Sequence, residues 1–168
     1  MTESDLQKEA TALLEALTAA SKSIATAESC TGGWVAKTLT DIAGSSNAFA
    51  YGIVSYSNGA KESLLGVLPA TLVAHGAVSE AVVREMAEGA LKLSGADLSV
   101  AVSGVAGPGG GSADKPVGTV WFAWALRRKT GCAVFAELHH FAGDRREVRM
   151  QSVLVALGGA RERLEQYG

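Results

Sequence analysis

Residues 23–42 read SIATAESCTGGWVAKTLTDI, and the parsing of this stretch decides the fold. Ser23 to Ala27 is a short apolar run of strand length. Glu28-Ser29-Cys30-Thr31-Gly32-Gly33 breaks it, and Trp34, Val35, Thr38, Leu39 and Ile42 then recur at the spacing of one helical face. The reading is strand, tight turn, helix, the unit from which layered α/β folds are built.

The flanks extend the same grammar. Upstream, Leu6, Ala10, Leu13, Leu14 and Leu17 share a helical stripe over residues 4–17, and Ser4-x-x-Gln7 has the form of a capping box. Downstream, the β-rich run from Phe49 to Tyr56 leads to Ser57-Asn58, an N-cap for a short helix carrying Lys61, Leu64 and Leu65. Pro69 suits the first turn of a further helix that closes near Gly76. Ser79 caps a longer one with Val83, Met86, Ala90 and Leu93 facing inward, ended by Gly95. Leu98 to Val102 is apolar enough for a strand covered on both faces, and a Gly-rich loop follows over residues 104–112. Val117–Leu126 and Ala133–Phe141 read as antiparallel neighbours, and Asp144–Leu164 as a closing helix with Val148, Val155 and Leu157 inward. The expected architecture is one domain over residues 1–168, an α/β/α sandwich in three layers. Its mixed sheet has five strands, four roughly parallel and one antiparallel.

Composition narrows the function. Fifteen Lys plus Arg against seventeen Asp plus Glu give a net charge of −2, which leaves no global basic field for nucleic acid or an anionic membrane. No apolar run reaches the roughly 18–20 residues of a membrane span, and the acidic N-terminus is unlike a secretory signal, so a cytoplasmic location is expected. Cys30 and Cys132 make no disulfide framework, and with His75, His139 and His140 they form no metal-binding spacing. No metal and no other cofactor is expected.

Three segments leave strands toward helices or loops at what would be the carboxyl edge of the sheet: 28–33, 55–61 and 103–112. Ser29 lies on the first, followed by the amides of Cys30, Thr31, Gly32 and Gly33, which could hold a developing oxyanion. His139 and His140, adjacent on one strand, point to opposite faces and make poor partners for it. Lys61, in the first turn of its helix, is disfavoured as a cation by the helix dipole and by burial, so it is the candidate base. Tyr56 could orient either group through its hydroxyl, and Cys30 is a rival nucleophile. Gly107, Gly110, Gly111 and Ser112 could turn amides toward a phosphate, with Arg145 or Arg146 as a bidentate partner; the loop lacks Walker A spacing. Each residue also has a purely structural reading. Ser29 or Thr31 would be a helix cap, Lys61 a solvated side chain, Tyr56 a rim aromatic and Arg145 half of a surface ion pair.

Taken together, Ala27-Glu28-Ser29-Cys30-Thr31-Gly32-Gly33, Tyr56-Ser57-Asn58 with Lys61, and Ser103-Gly104-Val105-Ala106-Gly107-Pro108 with Gly110-Gly111-Ser112 closely resemble the nicotinamide-nucleotide amidase family. This family is also called the C-terminal domain of the competence-damage-inducible protein CinA. Lys115-Pro116-Val117-Gly118-Thr119-Val120 and Gly143-Asp144-Arg145 complete the pattern. The resemblance implies metal-free hydrolysis of the carboxamide of nicotinamide mononucleotide (NMN), giving nicotinic acid mononucleotide and ammonia, in pyridine-nucleotide recycling. It assigns the serine to Ser29, the lysine to Lys61 and the tyrosine to Tyr56, an additional serine to Ser46 and an arginine to Arg145. It further implies the three-layer fold and a homo-oligomer such as a dimer. The N-terminal nucleotide-processing domain of longer CinA proteins is not expected here. A catalytically inactive nucleotide-binding paralogue and an amidase for another pyridine carboxamide are the alternatives.

Overall fold

A computed structural model describes all 168 residues. In chain order the elements are α1 (Glu3–Ala19), β1 (Ile24–Glu28), α2 (Trp34–Thr40), a 3-10 turn (Ser45–Asn47), β2 (Phe49–Val54), α3 (Asn58–Leu65), α4 (Pro69–His75), α5 (Glu80–Ser94), β3 (Leu98–Gly104), β4 (Thr119–Arg127), β5 (Cys132–His140) and α6 (Arg145–Tyr167). The sheet order is β2-β1-β3-β4-β5. β1 runs parallel to both β2 and β3, and β4 is antiparallel to β3 and β5. Four strands therefore share a direction and β4 opposes them.

Two cores flank the sheet. α1, α2 and α6 cover one face, packing on Ile24, Val100, Val102, Phe122 and Trp124. α3, α4 and α5 cover the other, where the strands present Ala27, Ala101, Ala123 and Ala125. From Phe122 to Leu126 of β4 large and small residues alternate with the two-residue period of a strand, so Ala123 and Ala125 let α5 approach closely while Phe122 and Trp124 fill the opposite layer. Trp124 is fully buried, and its Nε1 donates to the Ala156 carbonyl of α6 at 3.0 Å.

The chain goes from β1 to β2 over one face through α2, and from β2 to β3 over the other through α3–α5. Because β2 and β3 lie on opposite sides of β1, opposite faces are what right-handed crossovers require. The connections diverge at β1, and a crevice opens at its carboxyl end.

Two local expectations are corrected. The cap of α1 is Thr2, whose N–H donates to the Asp5 carboxylate at 2.7 Å; Ser4 is already inside the first turn, so the Ser4/Gln7 box does not form. Leu93 is half exposed, since the buried stripe of α5 runs through Val82, Val83, Met86, Ala87, Ala90 and Leu91 and leaves Leu93 at its margin in the last turn. No helix is long and apolar enough to cross a membrane.

Candidate active site

Strand parity positions the first group. Ala27 packs into the α3–α5 core, so Ser29, two residues on, turns to the same face, while Glu28 between them turns under α2. Cys30 faces back into the α1–α2–α6 core. On the neighbouring strand Ser57 ends the extended segment and caps α3, its hydroxyl accepting from the Ala60 N–H at 3.0 Å. This sets Lys61 on the buried side of a short helix. Gly89 of α5 allows α3 to dock so closely, since a Cβ there would collide with the Leu65 carbonyl.

The two side chains meet. Lys61 Nζ lies 2.8 Å from Ser29 Oγ, 2.9 Å from the Ser55 carbonyl and 3.2 Å from the Tyr56 carbonyl. Lys61 is 1% exposed and Ser29 8%, and no carboxylate pairs with the amine. Burial pushes the Lys61 amine below the ordinary lysine range. A neutral amine has two N–H bonds and one lone pair. Two carbonyls and the serine hydroxyl surround the amine, so on losing one proton it would keep an acceptor for each remaining N–H and turn its lone pair to the serine hydroxyl.

Around the pair is a crevice of about 310 Å³, within the lower part of the range of small-ligand sites (about 300–1,000 Å³), lined by the three strand-end segments together with Ala77 and Val78. Ser103 Oγ donates to the Ala77 carbonyl at 2.8 Å and so fastens that wall to the end of β3. Arg145 closes the mouth, donating to the Gly107 carbonyl at 2.8 Å and to the Tyr56 hydroxyl at 3.2 Å. No group of three or more His, Cys, Asp and Glu converges to hold a metal ion.

Comparison with known proteins identifies the lineage of this arrangement. The family model described as the CinA C-terminal domain matches residues 6–164. The chain belongs to the CinA C-terminal domain family. Over 157 residues it is 54% identical to the nicotinamide-nucleotide amidohydrolase PncC of Escherichia coli (strain K12), covering 94% of this chain and 93% of that protein. A CinA-like protein of Geobacter sulfurreducens is 53% identical over 141 residues, which are 84% of this chain and 33% of that longer one. Among solved structures, the competence damage-inducible protein A (ComA) from Klebsiella pneumoniae subsp. pneumoniae MGH 78578 superposes with a TM-score of 0.92 at 40% identity, over 97% of this chain and 99% of that one.

The other residues singled out in this CinA domain divide into two groups. Cys30, Gly107 and Gly110 line the crevice with Ser29, Tyr56, Lys61 and Arg145, whereas Thr31, Gly32, Gly33, Gly111 and Ser112 lie outside its lining. Ser46 sits on the 3-10 turn before β2; since β2 runs parallel to β1, this is the amino edge of the sheet, a strand's length from Ser29. Tyr56 is 61% exposed, and it is its carbonyl, not its hydroxyl, that reaches Lys61. Burial pushes the Cys30 thiol up to about 12, which removes it as a nucleophile near neutral pH.

The turn amides also differ from a simple free set. The Gly32 N–H donates to the Ser29 carbonyl at 3.0 Å, while those of Cys30 and Thr31 have no hydrogen-bond acceptor. Glu28, 1% exposed, accepts from the Val35 and Ala36 N–H groups at 2.8 and 3.1 Å and so caps α2 in place of Gly33, which has positive φ and no side chain to offer. Burial pushes the Glu28 carboxyl up against the pull of those amides. From α6, Arg149 donates through Nε to the Cys30 carbonyl at 3.1 Å and through Nη2 to the Thr31 carbonyl at 3.0 Å. Sequence reasoning missed the roles of Glu28, Arg149 and the Ser55 carbonyl. No local pattern marks Arg149, whose partners lie 119 and 118 residues away, whereas Glu28, directly before the turn and seven residues from Val35, was a signal for a cap.

Proposed function

We propose that this protein hydrolyses the carboxamide of NMN to nicotinic acid mononucleotide and ammonia, with Ser29 as nucleophile and Lys61 as base. The observation that carries the proposal is the 2.8 Å contact of a buried, carbonyl-held Lys61 amine with the Ser29 hydroxyl. The substrate follows from the similarity to the PncC amidohydrolase over nearly the whole chain.

In the reaction, Lys61 Nζ takes the Ser29 proton as Oγ attacks the amide carbon. The negative charge that develops on the carbonyl oxygen is met by the free Cys30 amide, the donor next to the nucleophile. Protonated Lys61 then delivers its proton to the departing nitrogen, which leaves as ammonia, and Ser29 holds the acyl group as an ester. Water, deprotonated by the same amine, hydrolyses the ester and returns Ser29 and Lys61 to their starting states. Arg145, with Gly107 and Gly110 beside it, serves the nucleotide phosphate at the mouth of the crevice.

The reading sets the enzyme in the cytoplasm as a homo-oligomer. Ser46, at the far edge of the sheet, reaches a crevice only from a second copy of the chain, and light scattering of the purified protein tests that arrangement. The activity itself is tested by ammonia release from NMN in the presence of EDTA, with Ser29→Ala as control and with nicotinamide and NAD as competing substrates. Release that survives EDTA and is lost in Ser29→Ala supports the reading. Wild-type protein that binds NMN without releasing ammonia overturns it in favour of a binding module.

A further inference from the structure

Arg149 belongs neither to the crevice lining nor to the motif residues, yet its guanidinium holds two consecutive carbonyls of the nucleophile turn. In a trans peptide the C=O and N–H groups point in opposite directions, so fixing one fixes the other. The Thr31 carbonyl accepts from Arg149, and the N–H of the same peptide group, that of Gly32, donates to the Ser29 carbonyl at 3.0 Å. The peptide group of the Ser29 carbonyl carries the Cys30 N–H, which has no acceptor and belongs to the residue beside Ser29 in the crevice wall. A permanent cation is thus linked through two peptide dipoles in series to an unoccupied donor, and hydrogen bonds in series polarise one another. The guanidinium is itself held in place, its centre 5.4 Å from the Trp34 ring centroid at the start of α2.

We propose that Arg149 is a positioning residue of the reaction, which fixes and polarises the nucleophile turn so that the Cys30 amide meets the oxyanion; this rests on the amidase reading above. Arg149 does not line the crevice, so its loss is expected to act on the transition state more than on ground-state binding.

The test is steady-state ammonia release from NMN by wild type, Arg149→Met and Arg149→Lys, with thermal unfolding of each. Arg149→Met is expected to lower kcat about 100-fold, the scale of one oxyanion donor, with KM within about threefold, as expected for an interaction made only in the transition state. Millimolar guanidinium restores part of the lost kcat. Arg149→Lys, which keeps the cation but loses the planar fork whose Nε and Nη2 reach the two carbonyls separately, falls between wild type and Arg149→Met, and it carries the test if Arg149→Met does not fold. Three results overturn the proposal: kcat of either folded variant at the wild-type level, a loss that appears in KM alone, or a loss in Arg149→Met that neither guanidinium nor the Lys variant relieves. Wild-type protein that releases no ammonia overturns the amidase reading instead, and is told apart by failing before any variant is compared.

Discussion

The junctions β1–α2 and β2–α3 are neighbours built on the same plan, a parallel strand turning into a helix at the carboxyl edge of the sheet, yet they are held in opposite ways. The β2–α3 junction is self-sufficient: Ser57 caps its own helix from within the turn, and the Ser55 and Tyr56 carbonyls hold the lysine that the helix presents. The β1–α2 junction has no such cap. Gly33 stands at the cap position, and the turn is clamped by Glu28 from beneath α2 and by Arg149 from α6. On the proposed mechanism, the difference follows from what each junction would present. A base needs a buried amine on a rigid helix, whereas a nucleophile flanked by an oxyanion donor needs backbone N–H groups left free, and a local side-chain cap would occupy them.

The largest effect is expected from removing either half of the dyad. Lys61→Met should lower kcat by at least about 10⁴-fold, and Ser29→Ala combined with it should do no further harm, because residues acting as one unit are non-additive. The same variant reports on charge. Burial lowers the Lys61 pKa in the folded protein, so between that value and the ordinary lysine value the unfolded chain binds a proton that the folded one lacks. Wild-type stability should therefore rise with pH through this window, below the unfolded lysine pKa of about 10.4, and Lys61→Met should flatten the rise. Ammonia release should rise as pH passes up through the lowered folded-state pKa, the lower edge of this window, and level off above it as the amine becomes neutral; a flat profile across that edge would contradict a lysine base.

Next come the two caps, compared by urea unfolding. Glu28→Ala leaves the Val35 and Ala36 amides without their buried acceptor and should cost about 3 kcal/mol. Ser57→Ala removes an exposed local cap and should cost about 1 kcal/mol. Equal costs would remove the contrast between a buried carboxylate clamp and an exposed hydroxyl cap. The smallest effect is expected at Cys30: because its buried thiol stays protonated, Cys30→Ala should retain kcat within about twofold. A large loss there would reopen the choice of nucleophile.

The legibility of the two junctions in sequence follows the same division. Strand and helix identities along the chain were readable because hydrophobic period and turn residues are local signals, and Ser57, Ser79 and Asp144 cap the helices they precede. The direction of β4 followed from its short connection to β5, since a tight link permits only an antiparallel neighbour. The Arg149 half of the clamp on the other junction was not readable. Arg149 is one of several basic residues on α6, and only the packing of α6 across the sheet face sets its guanidinium against the Cys30 and Thr31 carbonyls. Tyr56 makes the point within a single residue. An aromatic near a site suggests a working hydroxyl, whereas the chain path put its carbonyl on the amine and its hydroxyl on Arg145.

By itself, then, the sequence determined the elements, their order, the layered class of the fold and the pair Ser29 and Lys61 as the groups worth bringing together. Tertiary structure decided that they meet at 2.8 Å, that the amine is buried and held by carbonyls, and which turn amides remain free. The division has a physical cause. Period, caps and turns act over a few residues of chain, while burial and the contacts between Ser29, Lys61 and Arg149 exist only once distant segments are packed against one sheet.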